Sequence, residues 1–121
     1  MNLIRLTVII SLKNMYKKLI FIFVTIFISN IAFASNSKFM EQINNLAENG
    51  YVDAQYNLAR IYSNGESVDQ DLKLASYWFL RAAEQGNRDA QYQLARMFES
   101  GLGVTVDPIE AFKWYKLSAE Q

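Results

Sequence analysis

The chain has 121 residues, with twelve basic and twelve acidic side chains and with neither histidine nor cysteine. This length predicts at most one domain, and the missing residue types exclude disulfides, Cys/His zinc sites and Ser-His-Asp catalysis. The net charge of zero is the sum of two segments that differ in charge, because residues 1–34 hold four basic residues and no acidic one. Residues 35–121 therefore carry a net charge of −4. A mildly acidic body lacks the basic face that nucleic acid requires, so we expect no nucleic acid partner.

The first 34 residues have the parts of a secretory signal peptide. Lys17 and Lys18 precede an apolar run from Leu19 to Ile28, and Ala32-Phe33-Ala34 supplies an Ala-x-Ala cleavage site. We expect cleavage between Ala34 and Ser35, which implies a bacterial protein located in the periplasm or outside the cell.

Two alternatives stay open in this segment. An uncleaved helix would tie the chain to the membrane, although Ser29 and Asn30 interrupt an apolar stretch that falls short of the ~20 residues a spanning helix needs. Translation starts either at Met1, with an extended signal, or at Met15, next to the lysines.

A 36-residue repeat follows the signal. Residues 50–85 align without a gap on residues 86–121, and sixteen of the 36 positions are identical. The first copy predicts a helix over about 53–64, with Asp53 as its N-cap and Gly65 after its end, and a second helix over about 71–85. In the second copy Asp107-Pro108 marks the start of the second helix, since aspartate caps and proline suits the first turn.

Residues 35–49 extend this pattern backwards. Phe39, Ile43 and Leu46 have helical spacing and predict the second helix of a preceding half unit, which serves as an N-terminal cap. The second copy ends at Gln121 with no capping helix in the sequence, either because the array is short or because it belongs to a longer one. Since repeat arrays need capped ends, we expect self-association through this uncapped C-terminal repeat.

These residues resemble the Sel1-like repeat family, a relative of tetratricopeptide repeats. The second copy carries the resemblance most fully, and the first copy repeats most of its positions. The matching segments of the second copy are Ala90-Gln91, Leu94, Phe98, Gly101-Leu102-Gly103-Val104, Asp107, Ala111, Trp114-Tyr115 and Ala119. The resemblance implies an all-α fold, a short right-handed α-solenoid of antiparallel helix pairs, in which the first helix of each pair lines the concave surface.

Two departures qualify this resemblance. Ser67 stands where the family has the second loop glycine, so we expect a stiffer or differently shaped turn. Some disulfide-bearing relatives are linked to β-lactam binding or hydrolysis, but this chain has no cysteine and no nucleophile–base pair to support that activity.

A recurring polar stripe is the candidate binding site. It lies at i, i+4, i+7 and i+11 on the first helix of each copy, where the repeated arginine could grip a carboxylate or peptide carbonyl. A solvated face with weak ion pairs is the alternative. The proposed partner-binding residues are Asn57, Arg60, Asn64, Gln93, Arg96 and Ser100.

Other recurring residues are interpreted as structural. The aromatic residues Trp78, Trp114, Tyr56, Tyr92, Tyr62 and Phe98 recur at repeat positions and predict a stacked core. Asp71 is read as a helix cap and Asp69 as solvated, because two carboxylates are too few for a calcium site. We expect no catalytic residue, no cofactor and no metal.

Two functions follow from these observations. The first is a non-enzymatic scaffold or adaptor that binds a protein or peptide. The second is a cell-envelope enzyme or accessory protein acting on peptidoglycan or β-lactams, which a cleft with buried polar groups of shifted pKa would favour.

Overall fold

The computed structural model describes residues 2–121, and every element in this range is an α-helix. The prediction of an all-α repeat fold is therefore confirmed. Helices α2 and α3 form one antiparallel pair, α4 and α5 form the next, and α3 packs against α4. The five helices are α1 (Leu3–Glu48), α2 (Val52–Asn64), α3 (Leu72–Glu84), α4 (Arg88–Ser100) and α5 (Pro108–Ala119).

Two compact units divide the chain, one reaching to Lys38 and one covering Phe39–Gln121. Helix α1 continues without a break through the expected cleavage point at Ala34. Its N-terminal part is long and apolar enough to cross a membrane, and its apolar side chains are exposed. A signal sequence and a membrane anchor share these properties.

Capping residues explain where the later helices start. The Asp71 side chain accepts a hydrogen bond from the backbone N–H of Leu74 at 2.9 Å, and Asp107 accepts from Ile109 and Glu110. The prediction for α2 was wrong in one respect, because Tyr51 occupies the N-cap without a side-chain hydrogen bond. Asp53 instead lies inside the first turn, where its charge complements the helix dipole.

The core lies between the stacked helices. Trp78 and Trp114 are buried, and Tyr56, Tyr62 and Phe98 pack against the core while partly exposed. The prediction was wrong for Tyr92, which is 48% exposed. Its ring lies edge-on to Tyr115 at 5.5 Å, and Tyr115 is itself only partly buried, so this pair stays at the surface.

Buried glutamines tie each helix pair to the helix before it. Gln55 Nε2 donates to the Ala47 carbonyl at 3.0 Å, and its Oε1 accepts from Gln85 Nε2 at 2.7 Å. The second repeat reproduces both bonds one period later, with Gln91 donating to the Ala83 carbonyl and accepting from Gln121. Because these amides are buried and satisfied, they specify the packing of successive helices.

The turn after α2 has the same backbone shape as the turn after α4. Ser67 adopts φ +70° and its equivalent Gly103 adopts φ +73°, so the expectation of a differently shaped turn was wrong. What differs is the room for a side chain. A Cβ on Gly103 would lie 2.0 Å from the Leu72 carbonyl oxygen, so only glycine lets this turn approach α3.

Candidate functional site

A groove runs between the last three turns of α1 and the facing side of α2, within the unit Phe39–Gln121. It consists of two adjoining hollows of about 240 and 320 Å³, enough to receive side chains of a partner but too open to enclose a ligand. Helix α1 supplies Phe39, Gln42, Ile43 and Leu46, and the other side is lined by Asp53, Ala54, Asn57, Arg60, Ile61 and Glu66.

The floor of the groove is apolar and partly open to solvent. Phe39 is 49% exposed and Leu46 is 46% exposed, whereas their equivalents one period later, Ala75 and Ala82, are fully buried. The equivalents are buried because α3 has helices packed on both sides, α2 and α4. The floor of the groove therefore corresponds to a surface that a helix covers in the interior of the array.

The α2 wall is polar and carries both signs of charge. The Arg60 guanidinium lies 6.0 Å from the centre of the Tyr56 ring, a cation–π contact that orders the side chain while leaving it exposed. Asp53 and Asn57 are also exposed on this wall. The wall thus offers guanidinium and amide donors beside carboxylate and amide acceptors, which suits a polypeptide.

The structure brings together only part of the predicted stripe. Asn57 and Arg60 line the groove, but the Asn64 amide donates to Glu66 Oε1 at 2.8 Å, a local bond at the end of α2. Gln93, Arg96 and Ser100 lie on α4 and do not line this groove; Gln93 is half-buried there, and the other two are exposed.

Sequence reasoning missed the contribution of α1 to the groove. Phe39, Ile43 and Leu46 were assigned to a capping helix on their spacing alone. Their size was the available signal, because Phe39 and Leu46 replace alanines that are small enough to fit beneath neighbouring helices in the interior of the array.

A second polar cluster joins α4 to α5. The Tyr115 hydroxyl donates to Glu99 Oε2 at 2.8 Å, and Arg96 lies near enough to act on the charge of the Tyr115 side chain. Partial burial raises the pKa of Tyr115 above 10, and the hydrogen bond and negative charge of Glu99 raise it further. The raised pKa favours the protonated Tyr115 hydroxyl, which is the form that donates the hydrogen bond to Glu99 and links α5 to α4.

Within residues 2–121, no three His, Cys, Asp or Glu side chains lie close enough together to hold a metal ion. Asp71, which was weighed as part of a calcium site, caps α3 through its side chain.

No curated protein matches the sequence.

Solved structures share the fold. A protective antigen of uropathogenic Escherichia coli with an SLR fold is 44% identical over 68% of this chain, with a TM-score of 0.66. A Sel1 repeat protein from Oxalobacter formigenes is 42% identical over 67% of the chain, with a TM-score of 0.66. The chain spans 18% and 23% of the lengths of these two proteins, about a fifth of each.

The Sel1 repeat model matches residues 52–87 and 88–121, so its units begin two residues after the predicted boundaries at 50 and 86. Repeats of this kind generally mediate protein–protein interaction. More than half of the chain is covered, and the helix pairs, the stacked core and the solved neighbours all agree with this match. The chain belongs to the Sel1 repeat family.

Proposed function

We propose that this protein is an exported scaffold that binds a helical segment of a protein partner in the groove between α1 and α2. The exposed apolar floor at Phe39 and Leu46 carries this proposal, because the equivalent positions inside the array are covered by helices. An amphipathic helix would bury its apolar side on this floor. Arg60 and Asn57 would then hydrogen-bond its polar edge.

Matched arginines give a direct test of the site. Arg60 lines the groove and Arg96 holds the equivalent position on α4 outside it. Partners captured from the cell envelope by the tagged wild-type chain would be quantified against Arg60→Ala, Leu46→Asp and Arg96→Ala. We expect the first two variants to lose the same partners and Arg96→Ala to retain them. Equal capture by all variants, with unchanged circular dichroism, would reject the groove.

Export is supported by the N-terminal segment, whose lysines, apolar helix and Ala-x-Ala site precede the repeats. The test is the N-terminus of the protein recovered from a Gram-negative bacterium expressing the full chain. A periplasmic product beginning at Ser35 is expected, and Ala34→Arg should block its formation because the signal peptidase requires a small residue there. A full-length chain held in the membrane would favour the anchor instead.

No specific observation favours the enzyme hypothesis. Its criterion was a cleft lined by buried polar groups with shifted pKa values. The raised pKa belongs to Tyr115, which lies on α5 outside the groove, and it arises from burial and from Glu99. The scaffold is therefore the function that the geometry supports best.

A further inference from the structure

Four large apolar side chains are exposed along the turn after α4 and the first half of α5. We call them the α5 patch: Leu102, Val106, Ile109 and Phe112, which are 43%, 55%, 80% and 70% exposed. Together they expose roughly 400 Å² of apolar surface, as large as the largest patch on a typical monomer. Such patches on soluble proteins commonly mark sites of interaction.

Comparison with the first repeat shows that the patch is particular to the second. The equivalent residues, one period earlier, are Glu66, Gln70, Lys73 and Ser76, so all four apolar residues replace polar ones. Glu66, Gln70 and Lys73 are exposed although the second repeat packs against the first. The register positions of Leu102, Val106 and Ile109 therefore face solvent inside an array, and stacking of a further repeat does not account for apolar residues there. Only the equivalent of Phe112, Ser76, is buried in the first repeat.

A second copy of the chain is the occupant that the surface favours. The patch would supply about half of the ~800 Å² that each partner buries in a standard interface. Its margin on α5 holds Glu110, Lys113 and Lys116. In an antiparallel α5–α5 contact centred near Phe112, Glu110 of one copy approaches the lysines of the other, so the margin complements itself.

Other arrangements fit this surface less well. A head-to-tail contact that imitates the internal approach of Gly103 to Leu72 would place Ser67 of one copy on α5 of the next. In the internal contact a Cβ on Gly103 would come 2.0 Å from the Leu72 carbonyl oxygen, so the side chain of Ser67 would block the equivalent contact between copies. An anionic lipid surface would be repelled by a body with a net charge of −4. We propose that the α5 patch is the two-fold interface of a homodimer.

Cross-linking of the full exported chain tests this directly, because the natural sequence has no cysteine to give a background. Lys113→Cys places a thiol beside the patch and leaves its four apolar residues intact. Lys73→Cys is the matched control, an exposed lysine on the equivalent helix of the first repeat. A short bis-maleimide should convert the Lys113→Cys variant to a covalent dimer and leave the control monomeric. Equal yields from both variants would overturn the proposal.

Exchanging residues between the repeats provides the second measurement. Ile109→Lys/Phe112→Ser installs the residues that the first repeat carries at these positions, so the fold should tolerate them. By sedimentation equilibrium, the exported protein should be dimeric at tens of micromolar and the double variant monomeric, with identical circular dichroism. A monomeric wild type overturns the proposal, and flotation of that monomer with lipid vesicles, lost in the double variant, would assign the patch to membranes instead.

Discussion

The two repeats share sixteen of 36 residues and the same helix pairing, yet they present different surfaces. The first repeat faces a groove with an apolar floor, and it is polar at the turn after α2 and at the start of α3, where Glu66, Gln70 and Lys73 are exposed. The second carries the apolar α5 patch. Most of the shared positions build the core or shape the turns and helix starts, although the exposed Arg60 and Arg96 are shared as well. The apolar floor of the groove and the α5 patch, by contrast, lie at positions whose residue differs from its equivalent one period away.

The largest expected difference in the free energy of unfolding concerns two glycines that lie in turns. Gly103→Ala should destabilise by about 3–5 kcal/mol, because the new Cβ collides with the Leu72 backbone of the first repeat at 2.0 Å. Gly86→Ala should cost only about 1 kcal/mol, since its φ is +89° but nothing lies within 4 Å of the added carbon. Urea unfolding followed by circular dichroism measures both. Equal losses would show that the turn is not pressed against α3.

The buried glutamines should instead make the repeats behave alike. Replacing Gln55 with leucine leaves the Ala47 carbonyl without its donor and the Gln85 amide with only its bond to the Gly50 carbonyl, and we expect a loss of about 2 kcal/mol. Gln91→Leu removes the equivalent bonds to Ala83 and Gln121 and should cost a similar amount. The same unfolding experiment compares the two. A much smaller loss for Gln91 would mean that the second repeat does not use this bond to hold its first helix.

At the N-caps the second repeat has a capping side chain that the first repeat lacks, so one substitution can add a cap and another can remove one. Asn87 accepts a hydrogen bond from the Ala90 N–H at 2.8 Å, whereas Tyr51 occupies the same backbone conformation without a capping bond. Tyr51→Asn should therefore stabilise by about 1 kcal/mol and Asn87→Ala should destabilise by a similar amount. Thermal unfolding should show Tm shifts of opposite sign. A lower Tm for Tyr51→Asn would reveal that the tyrosine ring contributes more than a cap.

The smallest effect concerns Tyr115, whose equivalent in the first repeat is Phe79. Because the folded-state pKa of Tyr115 lies above the unfolded value near 10, this group contributes stability below pH 10 that is lost as the pH rises through the folded pKa. Tyr115→Phe should cost less than about 1 kcal/mol at neutral pH and flatten the loss of stability above pH 10. Unfolding measured from pH 8 to pH 11 tests this, and an unchanged slope would contradict it.

Much of the fold was readable from the sequence because its signals are local. Asp71, Asp107 and Pro108 define helix starts through bonds within one turn, and the 36-residue register locates every helix pair. The cap of α2 was assigned to Asp53 because aspartate is the usual capping residue. The structure starts that helix one residue earlier, at Val52, and so places Tyr51 at the N-cap, the position that Asn87 occupies in the second repeat.

The proposed binding surfaces were less predictable because they depend on what packs nearby. A polar stripe on α2 becomes one wall of a groove only because Phe39, Ile43 and Leu46 of α1 form the other. The equivalent stripe on α4 faces α3, which has alanines in place of Phe39 and Leu46. The polar stripe alone predicts Asn57 and Arg60, which line the groove, together with their equivalents Gln93 and Arg96, which do not, because the pattern of the stripe is shared by both repeats. The α5 patch was overlooked for the same reason, since it is visible only at positions where the repeats differ.

The paired glutamines also allow the second repeat to loosen separately from the first. Gln121 at the end of α5 holds Gln91 at the start of α4, while Gln91 itself reaches back to the Ala83 carbonyl of α3. Loss of the Gln121 bond would therefore free one side of Gln91 and loosen α4, whereas the bonds of Gln55 that hold α2 do not involve Gln121. We expect Gln121→Ala to speed amide hydrogen exchange in α4 more than in α2.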